Sequence, residues 1–513
     1  GLEVGSKPEL MAALAIHEDD DSLLICNGYK DAEFIQLALD GMKLGKKIIL
    51  VIEKLEELNR ILEKADACGI KPGLGLRIRL QTKGVGKWAT SGGEDAKFGL
   101  STADVIEVTR ILKSKKCPSC LKLLHFHVGS QISDIVTVGQ AVREVARYYA
   151  KLEKMGFNID FIDVGGGFAV DYDGSRTTGD SSMNYTDGEY TRQVINTIYE
   201  VCSEEKASHP HIVSESGRAL VAHHSILIVE AFGSIKKRPP RPNAPEPNDH
   251  KLIKDISELA SMLSKGNRRE TLHEALRIKE EALSRFELGI LELEEKAQIE
   301  SWFWHVANEI VGCFERDQRI PPEVAELKDQ LGEQYLCNFS VFQSLIDYWA
   351  VEQLFPVVPI HHLDKKPTNE VTLVDITCDS DGKITNFVND GTSKPYLALH
   401  DLNGSPYYIG VFLVGAYQDV MGDIHNLFAP VPEVHIFLDE DESTGFYIEE
   451  VVPGNTIREV LTDVQYEPKQ LIRMLKKQVD AAIKRNDIKP NQGMKIIRDY
   501  EKLMDRSTYL KLD

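Results

Sequence analysis

Three clusters of residues in this sequence could do chemistry together. The first is Asp163-Val164-Gly165-Gly166-Gly167-Phe168, which closes an apolar run starting at Phe161. Successive residues without a Cβ let several backbone N–H groups converge on one anion, so the run reads as a cradle for a phosphate group. The second is His125-Phe126-His127-Val128-Gly129-Ser130, and the third is Ser214-Glu215-Ser216-Gly217-Arg218. A Gly-Gly-Gly taken alone is more often a loop than a site. Three polar clusters, each at the downstream end of an apolar run, instead fit an active site on the C-terminal face of a parallel barrel. A phosphate cradle, an Arg close to a Glu at one strand end, and a flat imidazole at another point to an aromatic phosphorylated cofactor rather than a sugar phosphate.

Such clusters need strands to carry them. Short apolar runs at 2–6, 23–27, 47–53, 74–80, 121–130, 161–167 and 211–218 alternate with amphipathic stretches such as 30–44 and 55–67. That alternation predicts α/β architecture, a parallel sheet with crossover helices closing into a (β/α)8 TIM-type barrel over 1–233. The runs number seven and a closed barrel needs eight, so the first strand is expected just upstream of Gly1 and the chain reads as an excerpt or a processed product. Beyond Arg218 the pattern changes. A β-rich run at 225–233 leads into a stiff Pro-rich linker at 238–247, and 234–335 is expected as linker plus a helical-bundle insertion. Within it Leu272, Leu276, Leu283, Phe286 and Ile290 recur at helical spacings, and Trp302-Phe303-Trp304 reads as core. Strands return at 371–377, 407–414, 434–438 and 446–451, giving a C-terminal β-sandwich or barrel domain over 336–463; two amphipathic helices, 468–485 and 492–504, form a helical segment over 464–513.

Composition narrows the function. The 513 residues carry a net charge of -20, which argues against nucleic acid or anionic lipid as partner and mildly favours a cationic substrate. No apolar stretch reaches 18 residues, so no membrane span is expected. The eight cysteines, with Cys26, Cys202 and Cys313 inside apolar runs, read as reduced thiols of a cytoplasmic protein. Cys117-Pro-Ser-Cys120 has redox or zinc spacing but no second pair, and reads as a solvent turn. Gly84-Val85-Gly86-Lys87 lacks the spacing and hydroxyl of a P-loop. His223-His224 and His361-His362, as neighbours on a strand, would point to opposite faces and not chelate together, and Asp439-Glu440-Asp441-Glu442 reads as a hairpin tip.

Taken in order, His127-Val-Gly-Ser130, Gly165-Gly-Gly-Phe168, Glu215-Ser-Gly-Arg218, Cys378-Asp379 and Gly415-Ala-Tyr417 resemble the fold type III pyridoxal-phosphate decarboxylases over almost the whole chain. Within that group the helical insertion and the stretches Asn27-Gly-Tyr-Lys-Asp31, Lys97-Phe-Gly99, 375–382 and His425-Asn-Leu-Phe428 are similar to biosynthetic arginine decarboxylases. The resemblance implies decarboxylation of L-arginine to agmatine, a first step towards putrescine and spermidine. The alternatives are ornithine, lysine or diaminopimelate as substrate, or an inactive regulatory homologue.

By the same resemblance Gly165, Gly166, Gly167, Ser130 and Arg218 hold the cofactor's phosphate, with Tyr417 closing over it. Glu215 pairs with the pyridine nitrogen, which favours decarboxylation because a protonated ring is the stronger electron sink. His127 stacks on the ring, and Glu3 and Glu9 lie near the cofactor, Glu3 bonded to groups around His127. Cys378 and Asp379 reach across the interface of a homodimer or higher oligomer, such as a tetramer, with shared active sites; Cys378 supplies a proton to the carbon that loses CO₂ and Asp379 meets the substrate's distal cation. A buried guanidinium needs paired acids, and Asp381 and Asp347 are the candidates. The lysine that binds the cofactor covalently belongs to the expected upstream strand, and neither Lys7 nor Lys30 occupies its motif. Similar enzymes need Mg²⁺; the sequence leaves its ligands open.

Overall fold

The computed structural model describes residues 1–82, 96–236, 242–263, 268–316 and 320–512. Gly84 to Lys87 and the start of the Pro-rich linker, 238–241, lie outside the described residues.

Seven parallel strands pair in chain order: β1 (Leu2–Val4), β2 (Leu23–Cys26), β3 (Lys47–Ile52), β4 (Gly73–Arg77), β5 (Leu121–His125), β6 (Phe161–Asp163) and β7 (His211–Val213). Each expected run coincides with a strand, β4 starting one residue earlier, and the polar clusters begin at or just beyond the strand ends and continue into the loops. Helices α1 (Lys7–Ile16), α2 (Ala32–Lys43), α3 (Leu55–Cys68), α4 (Thr102–Ser114), α5 (Ile135–Lys154) and α6 (Asp187–Glu205) make the crossovers, and the short α7 (Gly217–Val221) follows β7. Both faces of the sheet are apolar, as a covered parallel sheet requires. Leu24, Cys26, Ile48, Leu50, Leu74 and Leu124 pack with the helices, while the alternate residues Ile25, Ile49, Val51 and Leu123 form a separate inner cluster. On that inner side a Cβ at Gly75 would sit 2.9 Å from Val51 Cγ2, so the glycine lets the strands curl together.

A second sheet holds β8 (Ile226–Ile235), β9 (Glu333–Cys337), β10 (Val357–Pro359), β11 (Asn369–Val374), β12 (Lys383–Ile384), β15 (Leu397–Leu399) and β16 (Tyr407–Phe412), the hairpin β13 (Phe387–Asn389) and β14 (Thr392–Lys394) standing apart. The central path runs β10-β16-β8-β9-β11-β12, with β15 on β11. Strand β8, grouped by sequence with the barrel, therefore has all its partners in the second sheet. Short helices α12 (Val341–Ser344), α13 (Ile346–Val351) and α14 (Gln418–Met421) flank it.

Between β8 and β9 stands the bundle α8 (Lys251–Met262), α9 (Arg268–Glu287), α10 (Leu293–Arg316) and α11 (Pro322–Leu331). Its core contains Trp302 and Phe303 as expected, yet the face of α9 that enters it is Leu272, Ala275, Ile278 and Ala282. Leu276, Leu283, Phe286 and Ile290 are exposed. The buried face of α9 thus mixes large Leu272 and Ile278 with small Ala275 and Ala282. The hairpin β17 (Glu433–Leu438) and β18 (Phe446–Val452) has the acidic run at its tip. Helix α15 (Ile457–Asp463) follows where only strands were expected, started by a reciprocal Thr456–Glu459 capping box. Helices α16 (Pro468–Lys484) and α17 (Pro490–Met504) end the chain.

Cys117 and Cys120 lie side by side, their Cα atoms 5.5 Å apart across a tight turn. His223 and His224 lie on a 3-10 turn rather than a strand, and His224 Nδ1 contacts its own turn at Val221 O; His361 Nδ1 bonds Pro406 O at 3.0 Å. Neither pair chelates.

Candidate active site

The C-terminal ends of the barrel strands converge on one mouth, and the polar clusters meet there. Helices α5 and α6 fix the loops behind it: Tyr185 donates to Ile132 O at 2.6 Å and accepts from Ala169 N at 3.2 Å. Gln131 ties the loop after β5 to the loop after β6, accepting from Val170 N at 2.9 Å and donating to Val170 O at 2.7 Å. The glycine run is then held in a shape that no other residue fits. Gly165 and Gly167 have φ of +66° and +93°, and a Cβ on either would collide with backbone oxygens, Phe126 O and Gly129 O respectively.

At one side of the mouth lies an anion site. Arg218 is buried and donates from Nε to Ser130 Oγ at 3.2 Å and from Nη1 to Tyr172 OH at 2.9 Å. The Tyr417 ring covers its guanidinium at 4.9 Å. Gly166 N–H donates to His127 Nδ1 at 3.3 Å, whereas Gly165 N–H donates to Asp163 Oδ1 at 2.9 Å. Of the three amides expected to cradle a phosphate, those of Gly165 and Gly166 are thus engaged by side chains, which leaves Gly167. His127 accepts that bond as a neutral imidazole: burial and the nearby Arg77 push its pKa down to about 3.

On the other side lie the acids. Asn27 Nδ2 bridges Glu215 Oε1 at 2.6 Å and Glu3 Oε1 at 3.0 Å. Glu3 therefore faces Asn27, not the groups around His127, and Glu9 caps Gly5 N at 2.7 Å. Burial raises Glu215 to about 7, with Asp163 and Glu3 adding to the rise and His125 and Asn27 opposing it. His125 Nδ1 lies 3.2 Å from Asp163 Oδ2 and 3.7 Å from Glu215 Oε1. These two carboxylates outweigh the effect of burial and raise the pKa of His125. Ligand-type atoms of this trio lie within 4.8 Å of one another. Lys30 is buried on Glu57 at 3.5 Å, and Lys7 pairs with Asp31 and Glu33 on the surface.

An anion site, a neutral flat ring and a buried acid in that sequence match the phosphate, face and ring nitrogen of a phosphorylated pyridine. Residues 1–222 match the family described as pyridoxal-dependent decarboxylase, pyridoxal binding domain; 246–328 match the arginine decarboxylase helical bundle domain, and 457–510 the arginine decarboxylase C-terminal helical extension. The biosynthetic arginine decarboxylase of Phocaeicola vulgatus is 44% identical over 518 residues, covering 100% of this chain and 81% of that one. The chain belongs to the biosynthetic arginine decarboxylase family. The family's Deinococcus radiodurans member is 42% identical, covering 100% of this chain and 78% of its own. The crystal structure of the Campylobacter jejuni enzyme superposes with a TM-score of 0.86 at 31% identity, covering 100% of this chain and 82% of that chain. Diaminopimelate decarboxylase from Helicobacter pylori, at 17% identity and TM-score 0.56 over 90% of this chain and 83% of that one, shares the fold.

The remaining residues singled out by resemblance to this decarboxylase family lie in the C-terminal half. Cys378 is exposed, its N–H bonded to Asn426 Oδ1 at 2.9 Å, and Asp379 lies 3.4 Å from His425 Nε2. Asp381 lines an open cleft of about 290 Å³ with Tyr348, Trp349 and Lys383. Asp347 is elsewhere: it is buried, accepts from Gln418 Nε2 at 2.9 Å and stands 3.7 Å from Arg218 Nη1. Its charge is directed at the anion-binding arginine, not at an open substrate cation. Sequence reasoning gave no role to Asn27, His125, Asp163 or Tyr172, although His125 and Asp163 stood inside the polar clusters. Their one signal was a polar residue at the end of an apolar run, which Asn27, His125 and Asp163 share.

Proposed function

We infer that this chain catalyses pyridoxal-phosphate-dependent decarboxylation of L-arginine to agmatine and CO₂, the first step of a route to putrescine and spermidine. The observation that carries it is the line from Arg218 and Ser130, past His127, to Glu215, in a chain whose full length is matched by arginine decarboxylases. Bound there, pyridoxal phosphate supplies the electron sink that accepts the pair left when CO₂ departs.

The chain's own residues bind, orient and hold protons. Arg218, Ser130 and the amide of Gly167 would bind the phosphate dianion, and Tyr417 closes over Arg218. Asp347 holds the guanidinium in place from behind. His127 lies against one ring face; being neutral, it packs on a protonated ring without charge repulsion. Glu215, as a carboxylate, would accept a hydrogen bond from the protonated ring nitrogen and keep the proton on the ring, and Asn27 fixes the direction of its carboxylate. The exposed turn carrying Cys378 and Asp379 is anchored on Asn426 and His425 rather than on the barrel, which suits delivery into the site of a second copy in a homodimer or tetramer. There the Cys378 thiol gives a proton to the carbon that lost CO₂, while Asp379 and Asp381 receive the substrate guanidinium. The buried thiols of Cys26, Cys202 and Cys337 suit a reducing compartment, and we place the enzyme in the cytoplasm.

The test is agmatine and CO₂ release from arginine by the full-length protein, with and without Mg²⁺, beside ornithine, lysine and diaminopimelate. Turnover of ornithine alone overturns the substrate, and a protein that takes up no pyridoxal phosphate overturns the enzyme in favour of a regulatory homologue.

A further inference from the structure

Beneath Glu215 lies a second histidine that touches no ligand site directly. His125 ends β5, is 1% exposed, and turns Nδ1 between two carboxylates that are 3.2 Å and 3.7 Å away. Neither contact is an aligned hydrogen bond: His125 Nδ1 and Asp163 Oδ2 both lack such a partner. A proton on Nδ1 therefore sits between Asp163 and Glu215 and serves both electrostatically.

The surrounding charges make that proton necessary. From β1 comes Glu3, from β6 Asp163 and from β7 Glu215, three acids facing one small volume. From β2 comes only neutral Asn27. His127, next on β5's side, is neutral. Arg77 at the end of β4 is engaged by Glu53 at 3.2 Å, and Lys30 by Glu57. His125 is thus the cation seated against Glu215. Asp163 extends the arrangement, since its other oxygen accepts from Gly165 N–H at the start of the phosphate turn.

We propose that His125 is a positioning residue: its imidazolium, held between Asp163 and Glu215, keeps Glu215 ionised and aimed at the cofactor's ring nitrogen. Through Asp163 the same group ties that carboxylate to the turn that grips the phosphate, so both ends of the cofactor are set by one buried pair. Loss of the imidazolium leaves Glu215 to the effects of burial and of its acidic neighbours, which favour the protonated carboxyl. A neutral carboxyl no longer stabilises a protonated ring. The inference rests on the pyridoxal phosphate reading of the site.

The experiment uses full-length protein freed of cofactor. Glu215 is titrated by difference infrared spectroscopy, its carboxyl band assigned by loss in Glu215→Gln, in wild type, His125→Gln and His125→Gln/Glu3→Gln. Pyridoxal phosphate affinity is measured against pH in the same proteins. The expected result is a Glu215 titration at least one pH unit higher in His125→Gln, with affinity at least tenfold weaker at pH 7 and largely regained at pH 9. Removing Glu3's charge as well should bring the titration part of the way back, which a purely structural defect would not do. An unmoved Glu215 titration in His125→Gln, or an affinity loss equal at all pH values and unrelieved by Glu3→Gln, overturns the proposal. Should His125→Gln not fold, the imidazole of His125 is titrated by NMR in wild type, where a neutral ring at pH 6 overturns it and a protonated one supports it. Failure of wild type to bind pyridoxal phosphate defeats the functional reading, while the ligand-free titration still decides the role of His125.

Discussion

Replacing Gly167 by Ala tests the anion site at a position with no room for a side chain. The residue has φ of +93°, and the added Cβ would meet Gly129 O and come within 2.6 Å of Ile132 Cδ1. The left-handed conformation costs an L-residue about 1–2 kcal/mol, and forcing a methyl into a packed site adds about 1–3 kcal/mol. If the turn opens to relieve a total of about 2–5 kcal/mol, pyridoxal phosphate affinity falls by about 30-fold to a few thousandfold, at about 1.4 kcal/mol per factor of ten. Gly174 provides the control, because it has φ of +72° but nothing within 4 Å of an added Cβ. Gly174→Ala should cost only the torsional part and leave cofactor affinity unchanged. Equilibrium binding of pyridoxal phosphate to full-length protein, with thermal unfolding of the cofactor-free form, separates the two contributions. A Gly167→Ala protein that binds within threefold of wild type would refute the assignment of the glycine run to the phosphate.

Three further outcomes follow from the same structure. Glu215 is raised from 4.5 to about 7, so the native state holds its proton more tightly than the unfolded one; wild type should lose stability relative to Glu215→Gln as pH rises from about 4.5 to 7, read as converging or crossing melting temperatures of cofactor-free protein. His127 is shifted the other way, from 6.5 to about 3, so the unfolded state binds the proton and wild type should lose stability as pH falls from 6.5 towards 3; His127→Asn should remove that part of the acid sensitivity. Phe303→Ala, at a 1% exposed position in the helical bundle, should cost that bundle about 3–5 kcal/mol by urea-dependent hydrogen exchange while leaving pyridoxal phosphate affinity at the barrel unchanged.

Much of the barrel was legible because short apolar runs ending in glycine, histidine or acid have few other uses. The site's outer members, Ser130, Gly165 to Gly167, Glu215 and Arg218, stood out for the same reason. Its inner members did not. Asn27 and Glu215 are 188 residues apart, and nothing local announces that one amide will bridge two acids from different strands. His125 stood in plain view beside His127, but burial alone separates the proton holder from the ring contact. Asp347 was chosen for its charge, and only the fold shows that Arg218 and Gln418 claim it. On α9 Leu272 entered the core as expected, but Leu276, Leu283 and Phe286 did not, and Ala275, Ile278 and Ala282 took the inward positions instead. Helix α15 was missed although Thr456 and Glu459 signal its start, since the strands before it set a misleading trend.

Strands β8 and β9 are antiparallel neighbours, with Ile235 opposite Gln334, and the helical bundle occupies the whole path between them. Chain leaves the sheet and re-enters it at adjacent rungs, as it would in a simple hairpin whose loop had been enlarged. An excursion of this kind imposes no stretch or twist on its host, so its length and sequence are free to change without disturbing the strand pairing. The catalytic half and the bundle can therefore diverge at different rates, each answering to its own selection.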